Sequence, residues 1–164
     1  MEFGTIEREI FVEATPEVVF AVVSSPEHIR QWWPDEARYA PEPGSVGEIV
    51  FAERDAGGTV LGRMVVAFAV VDSRPPRLFS FRWTQPSGVA AAPGNSLLVT
   101  FDLAPKGDGT LLRMTESGFR EMGWEAAVLE ETYRDHVTGW DFYLPRLAPY
   151  AATLAAPSRP RPRS

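Results

Sequence analysis

Residues 96 to 117 read SLLVTFDLAPKGDGTLLRMTES and alternate apolar with polar side chains on both sides of a glycine-containing break. A period of two is typical of a strand with one buried face and one wet face. The break contains Asp108-Gly109, a frequent β-hairpin turn. This stretch therefore predicts two antiparallel strands, Ser96 to Ala104 and Thr110 to Ser117.

The same alternation continues upstream of the hairpin. It predicts three further strands, Gly47 to Arg54, Val60 to Asp72 and Arg77 to Thr84, with turn residues at each break. Thr5 to Glu13 alternates in the same way and is the predicted first strand. Together these segments predict a six-stranded curved antiparallel sheet. The longer connection from Gln85 to Asn95 is rich in small residues, and we expect it to form a mobile lid.

Two short helices are predicted directly after the first strand. Thr15-Pro16-Glu17 and Ser25-Pro26-Glu27 each combine a hydroxyl that can cap a helix, a proline suited to the first helical position and an acidic residue. Pro34 ends the second helix.

A long helix is predicted near the C-terminus. Apolar residues recur at steps of three and four, which predicts a first helical segment near Met122 to Glu131 and a long helix from about Tyr133 to Leu154. Pro145 and Pro149 lie inside this pattern and predict a bend or an early end. The fold class is therefore α+β, with one sheet face packed on this helix.

Length and composition indicate one globular domain. The chain has 164 residues, of which 45% are hydrophobic and 12% aromatic, enough for a single core. We expect residues 1–155 to form the domain and residues 156–164, rich in proline and arginine, to form a disordered tail.

Charge and residue usage exclude several functions. The formal net charge of -6 disfavours nucleic acid as a partner. The absence of cysteine excludes disulfides and thiolate chemistry. No stretch approaches the roughly 18 apolar residues of a membrane span, and no leader pattern is visible, so a cytoplasmic location is expected.

Several short motifs occur in this chain in a particular order. They are Thr15-Pro16-Glu17-Val18-Val19-Phe20, Trp32-Trp33-Pro34, Pro75-Pro76-Arg77-Leu78, Gly109-Thr110-Leu111-Leu112 and Gly139-Trp140. In this order the chain resembles the START-like, or SRPBCC, superfamily, and within it the branch related to the C-terminal domain of the activator of the heat-shock protein 90 ATPase. The resemblance implies a helix-grip fold, in which sheet and terminal helix enclose a cavity for lipids, polyketides, hormones or other apolar molecules.

Alternation along the strands and the apolar face of the C-terminal helix predict the side chains that face this cavity. The predicted set is Trp32, Trp33, Phe51, Met64, Phe68, Phe81, Trp83, Phe101, Met114, Glu116, Trp140, Tyr143 and Leu144. The alternative is that these rings interlock into a solid core, as buried aromatic residues usually do.

Glu116 is the candidate for chemistry in this set. It follows Leu112 and Met114 at every second position of one strand, so its side chain is predicted to point inward as theirs do. There it is predicted to hydrogen-bond a ligand or to act as a general acid or base. The alternative is a carboxylate at a strand end that reaches solvent or pairs with an arginine.

Sequence patterns for other chemistry are missing. His28 and His136 are far apart in the sequence and are interpreted as surface residues, so no metal site is predicted. The sequence has no phosphate-binding glycine loop, nucleophile elbow or dinucleotide fingerprint. No cofactor is therefore predicted.

These observations favour binding of a small apolar or amphipathic molecule, as a sensor, carrier or stress-related binding protein. The alternatives are an enzyme of the polyketide cyclase, aromatase or hydrolase kind in the same pocket, and a domain that binds and activates a chaperone ATPase. A protein partner or a homodimer is compatible with the sequence.

Overall fold

One antiparallel sheet of seven strands forms the body of the protein. The computed structural model describes residues 3–86 and 88–155. The strands are β1 (Thr5–Val12), β2 (Glu36–Arg38), β3 (Val46–Arg54), β4 (Val60–Arg74), β5 (Leu78–Trp83), β6 (Leu97–Lys106) and β7 (Gly109–Ser117). They lie in the order β1-β7-β6-β5-β4-β3-β2, so the first strand pairs with the last.

The sheet has one strand more than the six predicted, because β2 was missed. β2 places Glu36, Ala37 and Arg38 opposite Val50, Ile49 and Glu48 of β3. Three residues are too few for alternation to be visible in a sequence. Exposed ion pairs lie along this edge strand, with Arg38 bonded to both Glu36 and Glu48.

The two short helices after the first strand are confirmed. They are α1 (Pro16–Ser24) and α2 (Pro26–Ile29). The Thr15 hydroxyl accepts a hydrogen bond from the Val18 amide at 3.4 Å and so caps α1. Ser25 precedes α2 without a side-chain capping bond, so the predicted cap there is wrong.

The C-terminal region differs from the prediction at its start. The separate helical segment near Met122 to Glu131 is wrong: a 3₁₀ helix spans Arg120–Met122, and Gly123 then adopts a left-handed φ of 75°. One continuous helix, α3 (Ala126–Ala155), follows. Glycine in that conformation ends the 3₁₀ helix without steric cost.

The early end predicted from the prolines is also wrong, since α3 continues through both Pro145 and Pro149. Each proline removes the donor for the carbonyl four residues earlier, namely that of Asp141 and that of Pro145. All three residues lie on the exposed side of α3. Water can therefore satisfy the two carbonyls, and the buried side of the helix is unaffected.

The core lies between one sheet face and the helices. The predicted inward positions of the central strands are buried, among them Phe79 and Phe81 of β5 and Phe101 of β6. α1 packs on β5, β6 and β7 as well as on α3. Phe20 of α1 contacts Phe79 edge to face, with ring centroids 6.2 Å apart.

No helix in the described residues is both long and apolar enough to cross a membrane. The tail predicted at residues 156–164 lies outside the described residues.

Replacing Pro145 by alanine should raise the free energy of unfolding by about 1–2 kcal/mol. The substitution restores a helix hydrogen bond, and the gain is partly offset by the greater freedom of the unfolded chain. Pro16→Ala is the matched control, because the first residue of α1 has no intrahelical acceptor to regain. Urea denaturation followed by circular dichroism measures both, and a loss of stability in Pro145→Ala would contradict this account.

Candidate functional site

A cavity lies where the sheet has no strand beside β4. β5 ends at Trp83 opposite Phe68, and the amide of Thr84 makes one further bond to the carbonyl of Ala67. Within the described residues, the strand positions 60–67 of β4 pair with β3 alone. The space next to this segment is a cavity of about 810 Å³ between the sheet, α3 and residues 84, 85 and 88–90.

Aromatic rings make up much of the cavity wall. The predicted residues that line it are Trp33, Phe51, Met64, Trp83, Trp140 and Tyr143. Trp33 is central: its ring centroid lies 4.9 Å from that of Trp83 and 5.0 Å from that of Trp140. Met64 is 51% exposed and lies at the mouth. Tilted and edge-to-face rings packed in this way form a rigid apolar surface.

Seven predicted site residues do not line the cavity. One is Glu116, and the other six, all buried in the core, are Trp32, Phe68, Phe81, Phe101, Met114 and Leu144. Trp32 packs on Phe101 with ring centroids 6.2 Å apart, and its indole N–H donates to the Val22 carbonyl at 3.0 Å. For this part of the face the alternative of interlocking rings is the right one, because α1 and the turn after α2 cover β5 and β6.

Glu116 is completely buried, with 0% of its surface exposed. Its Oε2 accepts a hydrogen bond from the indole N–H of Trp83 at 2.7 Å. Its Oε1 accepts one from the indole N–H of Trp140 at 2.8 Å and lies 2.9 Å from Nδ1 of His136. The side chain is therefore buried, as its position on the strand predicted, but it does not line the cavity, and the alternatives of solvent or an arginine partner are wrong.

These contacts show what Glu116 can do. Its two oxygens are already held by three N–H groups from β5 and α3. A carboxylate surrounded by such donors is stabilised in place. Glu116 therefore acts on the cavity through the rings of Trp83, Trp140 and His136, whose positions it fixes.

His136 is not the surface residue that the sequence indicated. Its side chain is 17% exposed, it contacts Glu116, and it lines the cavity. With Nδ1 toward Glu116, Nε2 lies on the other side of the ring. His136 lies four residues before Trp140 and seven before Tyr143, a spacing that places all three on one helix face. This spacing is the sequence feature that could have predicted its position. His28 also has a partner, the hydroxyl of Tyr150 at 2.7 Å.

Sequence reasoning also missed three cavity residues next to these rings. Gly139 of α3 lines the cavity, and nothing lies within 4 Å of the position a Cβ would take. Thr84 has a left-handed φ of 72°, which is strained for a β-branched residue. Gln85 follows it and is 4% exposed. The segment predicted as a lid does lie on the cavity, through Gln85, Gly88, Val89 and Ala90.

Polar groups at the cavity are few. Burial raises the pKa of the Tyr143 hydroxyl, Arg146 acts in the opposite direction and Asp35 reinforces the rise, so this group remains protonated at neutral pH. No group of three or more metal-ligating side chains occurs in the part of the chain that the structure describes. The cavity is therefore mainly apolar, with a small number of hydrogen-bonding groups.

Comparisons with known proteins agree with this architecture. Comparison with curated proteins finds no significant match. Among solved structures, protein MLL2253 from Mesorhizobium loti is 21% identical with a TM-score of 0.66, over 91% of this chain and 97% of that one. The Aha1 dimer from Colwellia psychrerythraea is 20% identical with a TM-score of 0.60, over 88% and 92%. These likenesses show a shared fold.

A third solved structure belongs to a longer protein. DynU16, from the dynemicin biosynthetic locus, is 21% identical with a TM-score of 0.65 over 93% of this chain, which spans 48% of DynU16. The family model described as activator of Hsp90 ATPase homolog 1-like protein matches residues 13–152, most of the chain. The resemblance seen in the sequence motifs is therefore confirmed, and this chain is a member of the activator of Hsp90 ATPase homolog 1-like family, within the START-like superfamily.

Proposed function

We propose that this protein binds a small apolar or amphipathic molecule in the cavity between β4 and α3. The observation that carries the proposal is the cavity itself, about 810 Å³ in volume and lined by five aromatic rings. Ligand sites typically have volumes of about 300–1,000 Å³ and a few polar groups on an apolar wall.

The apolar wall supplies the driving force for binding. A ligand that buries about 400 Å² of apolar surface gains about 10 kcal/mol. Loss of translational and rotational freedom removes at least about 4 kcal/mol of this gain. The remainder corresponds to dissociation constants of about tens of micromolar. Tighter binding requires a match to the few polar groups.

A second candidate function, catalysis in the same cavity, is favoured by His136 and Glu116. An imidazole held at Nδ1 by a buried carboxylate is a common arrangement for a general base, because the carboxylate fixes the ring and stabilises its protonated form. Nε2 of His136 could then take a proton from a ligand carbon next to a carbonyl. This is the chemistry that a cyclase or aromatase needs.

Gly139→Leu should block the cavity without unfolding the protein. Leucine fills open space on the cavity side of α3, and it is a better helix former than glycine by about 0.8 kcal/mol. We expect the affinity for the neutral fluorescent probe N-phenyl-1-naphthylamine to fall at least tenfold, measured by fluorescence titration. Thr138→Leu, at the exposed neighbouring position, is the control and should leave the affinity unchanged. Equal probe binding by Gly139→Leu and the wild type would place the binding site elsewhere.

Glu116→Gln should destabilise the fold and weaken probe binding together. The amide keeps one acceptor oxygen and adds an NH₂ donor, so at least one buried N–H of Trp83, Trp140 or His136 faces another donor. We expect a loss of about 2–3 kcal/mol in the free energy of unfolding, measured in urea. Glu7→Gln, exposed on β1, is the control and should change stability by less than about 0.5 kcal/mol. Wild-type stability in Glu116→Gln would show that the three contacts are energetically unimportant.

The catalytic candidate makes a separate prediction. The protein should accelerate deuterium exchange at the carbon next to the carbonyl of 2-tetralone in D₂O, followed by NMR, with the proton passing to Nε2 and then to solvent. His136→Gln should remove the acceleration, whereas His28→Gln should retain it because His28 bonds Tyr150 outside the cavity wall. No acceleration by the wild-type protein would rule against general-base catalysis while leaving the binding proposal intact.

A further inference from the structure

The first part of β4 has a free backbone edge. The carbonyl of Ala67 points away from β3, since it accepts a hydrogen bond from the amide of Thr84. Backbone groups alternate sides along a strand, so Arg63 and Val65 direct their N–H and C=O groups to the same side as Ala67 does. Among the described residues, none bonds these four groups. A row of unpaired backbone groups is a template for pairing with another strand.

The side chains along this edge are mostly apolar and exposed. Within residues 60–65, the exposed hydrophobic side chains are Val60, Leu61, Met64 and Val65, and the one charged residue is Arg63. The outer strands of the sheet are different. β1 carries three consecutive charged residues at positions 7–9, and β2 has three residues, two of them charged. Charge and short length protect a strand edge from pairing, and the edge of β4 has little of either.

We propose that two copies of this chain pair through the free edge of β4, antiparallel and about a two-fold axis at Met64. In this register Arg63 of each chain lies opposite Val65 of the partner subunit. The backbone groups that point outward at both positions then face each other, and the two pairs exchange four hydrogen bonds. An interface of this kind uses the same surface on both subunits and closes as a dimer.

Charge and space select this register over its neighbours. An axis at Arg63 would place the two guanidinium groups directly opposite each other, and like charges opposite each other are destabilising. An axis at Val65 would place Gly62 of each chain opposite the partner's Phe68, where Trp83 of β5 is already paired. With the axis at Met64, Arg63 faces an apolar side chain and keeps its ion pair with Glu36 at 2.9 Å.

The pairing brings the two cavities together at the axis. Met64 is 51% exposed and lies at the cavity mouth. Residues opposite each other without direct hydrogen bonds have Cα atoms about 4.5 Å apart, so each subunit adds its Met64 to the mouth of the partner's cavity. The β-bulge at Leu61 bends β4 and keeps the paired segment short. The interface is smaller than the roughly 1,200–2,000 Å² of a stable complex, so we expect a dissociation constant of about 10–100 μM. This inference does not depend on the ligand proposed above.

Met64→Cys tests the position of the axis. The chain contains no cysteine, so the introduced thiol is unique. Across the axis two such residues have the Cα separation of a disulfide, about 4.4–6.8 Å. We expect a disulfide-linked dimer on a non-reducing gel after incubation with oxidised glutathione. Val71→Cys is the control, because Val71 is also exposed on β4 but lies beside β5, and it should remain mostly monomeric. Equal cross-linking of the two variants, or none in Met64→Cys, would overturn the proposal.

Two substitutions of opposite charge test the pairing itself. Val65 is 56% exposed, so neither change should unfold the protein, and the melting temperature checks this. Val65→Lys places a second positive charge opposite the partner's Arg63 and should raise the dissociation constant of the dimer at least tenfold. Val65→Glu places a negative charge there and should change it less than threefold. Sedimentation equilibrium of the 18.2 kDa chain measures both. Equal weakening by the two variants would overturn the register, and a wild-type protein that is monomeric at 1 mM would overturn the dimer.

Discussion

The buried carboxylate of Glu116 connects the parts of the structure that form the cavity. A charge taken out of water is costly unless donors replace the lost hydration. Here the donors come from two other elements, Trp83 on β5 and both His136 and Trp140 on α3. A shift of α3 along its axis would remove two of these donors, and a slip of β5 by one residue would remove the third. The position of the helix and the strand register are thus coupled to one side chain.

The cavity itself results from a difference in strand length. β4 has 15 residues, but its neighbour β5 has 6, so the sheet lacks a strand beside the first part of β4. α1 and the turn after α2 cover the region of β5 and β6, where Phe79 and Phe101 are fully buried. Beside the first part of β4 the sheet borders the cavity instead. The same sheet face is therefore a solid core at one end and a cavity wall at the other, with Trp33 and Trp140 at the boundary.

Most strands and helices and their buried faces could be predicted from local patterns, since alternation and helix spacing indicate which side of an element is buried. Glu116 lies two residues after Met114 on the same strand, so its inward orientation could be predicted. Its partners could not be predicted, because the contact with His136 depends on how α3 lies across the sheet, at 2.9 Å between atoms 20 residues apart. The position at which the core gives way to the cavity depends on where β5 ends. The residue after β5, Thr84, has a left-handed conformation that no turn pattern predicts. Strand β2 is held by pairing with β3 rather than by its own sequence.

The segment Trp83-Thr84-Gln85 combines a stabilising residue with two destabilising ones. Trp83 contributes to the Glu116 cluster, which stabilises the protein, whereas the two residues after it carry a strained backbone and a buried acceptor without a donor. A sequence selected for stability alone would place glycine or asparagine at the left-handed position and an apolar side chain after it. The conformation of Thr84 is tolerated because β5 before it is fixed on both sides by β4 and β6. The rigid end of β5 thus positions Gln85, and the stability lost at two residues is supplied by the cluster next to them.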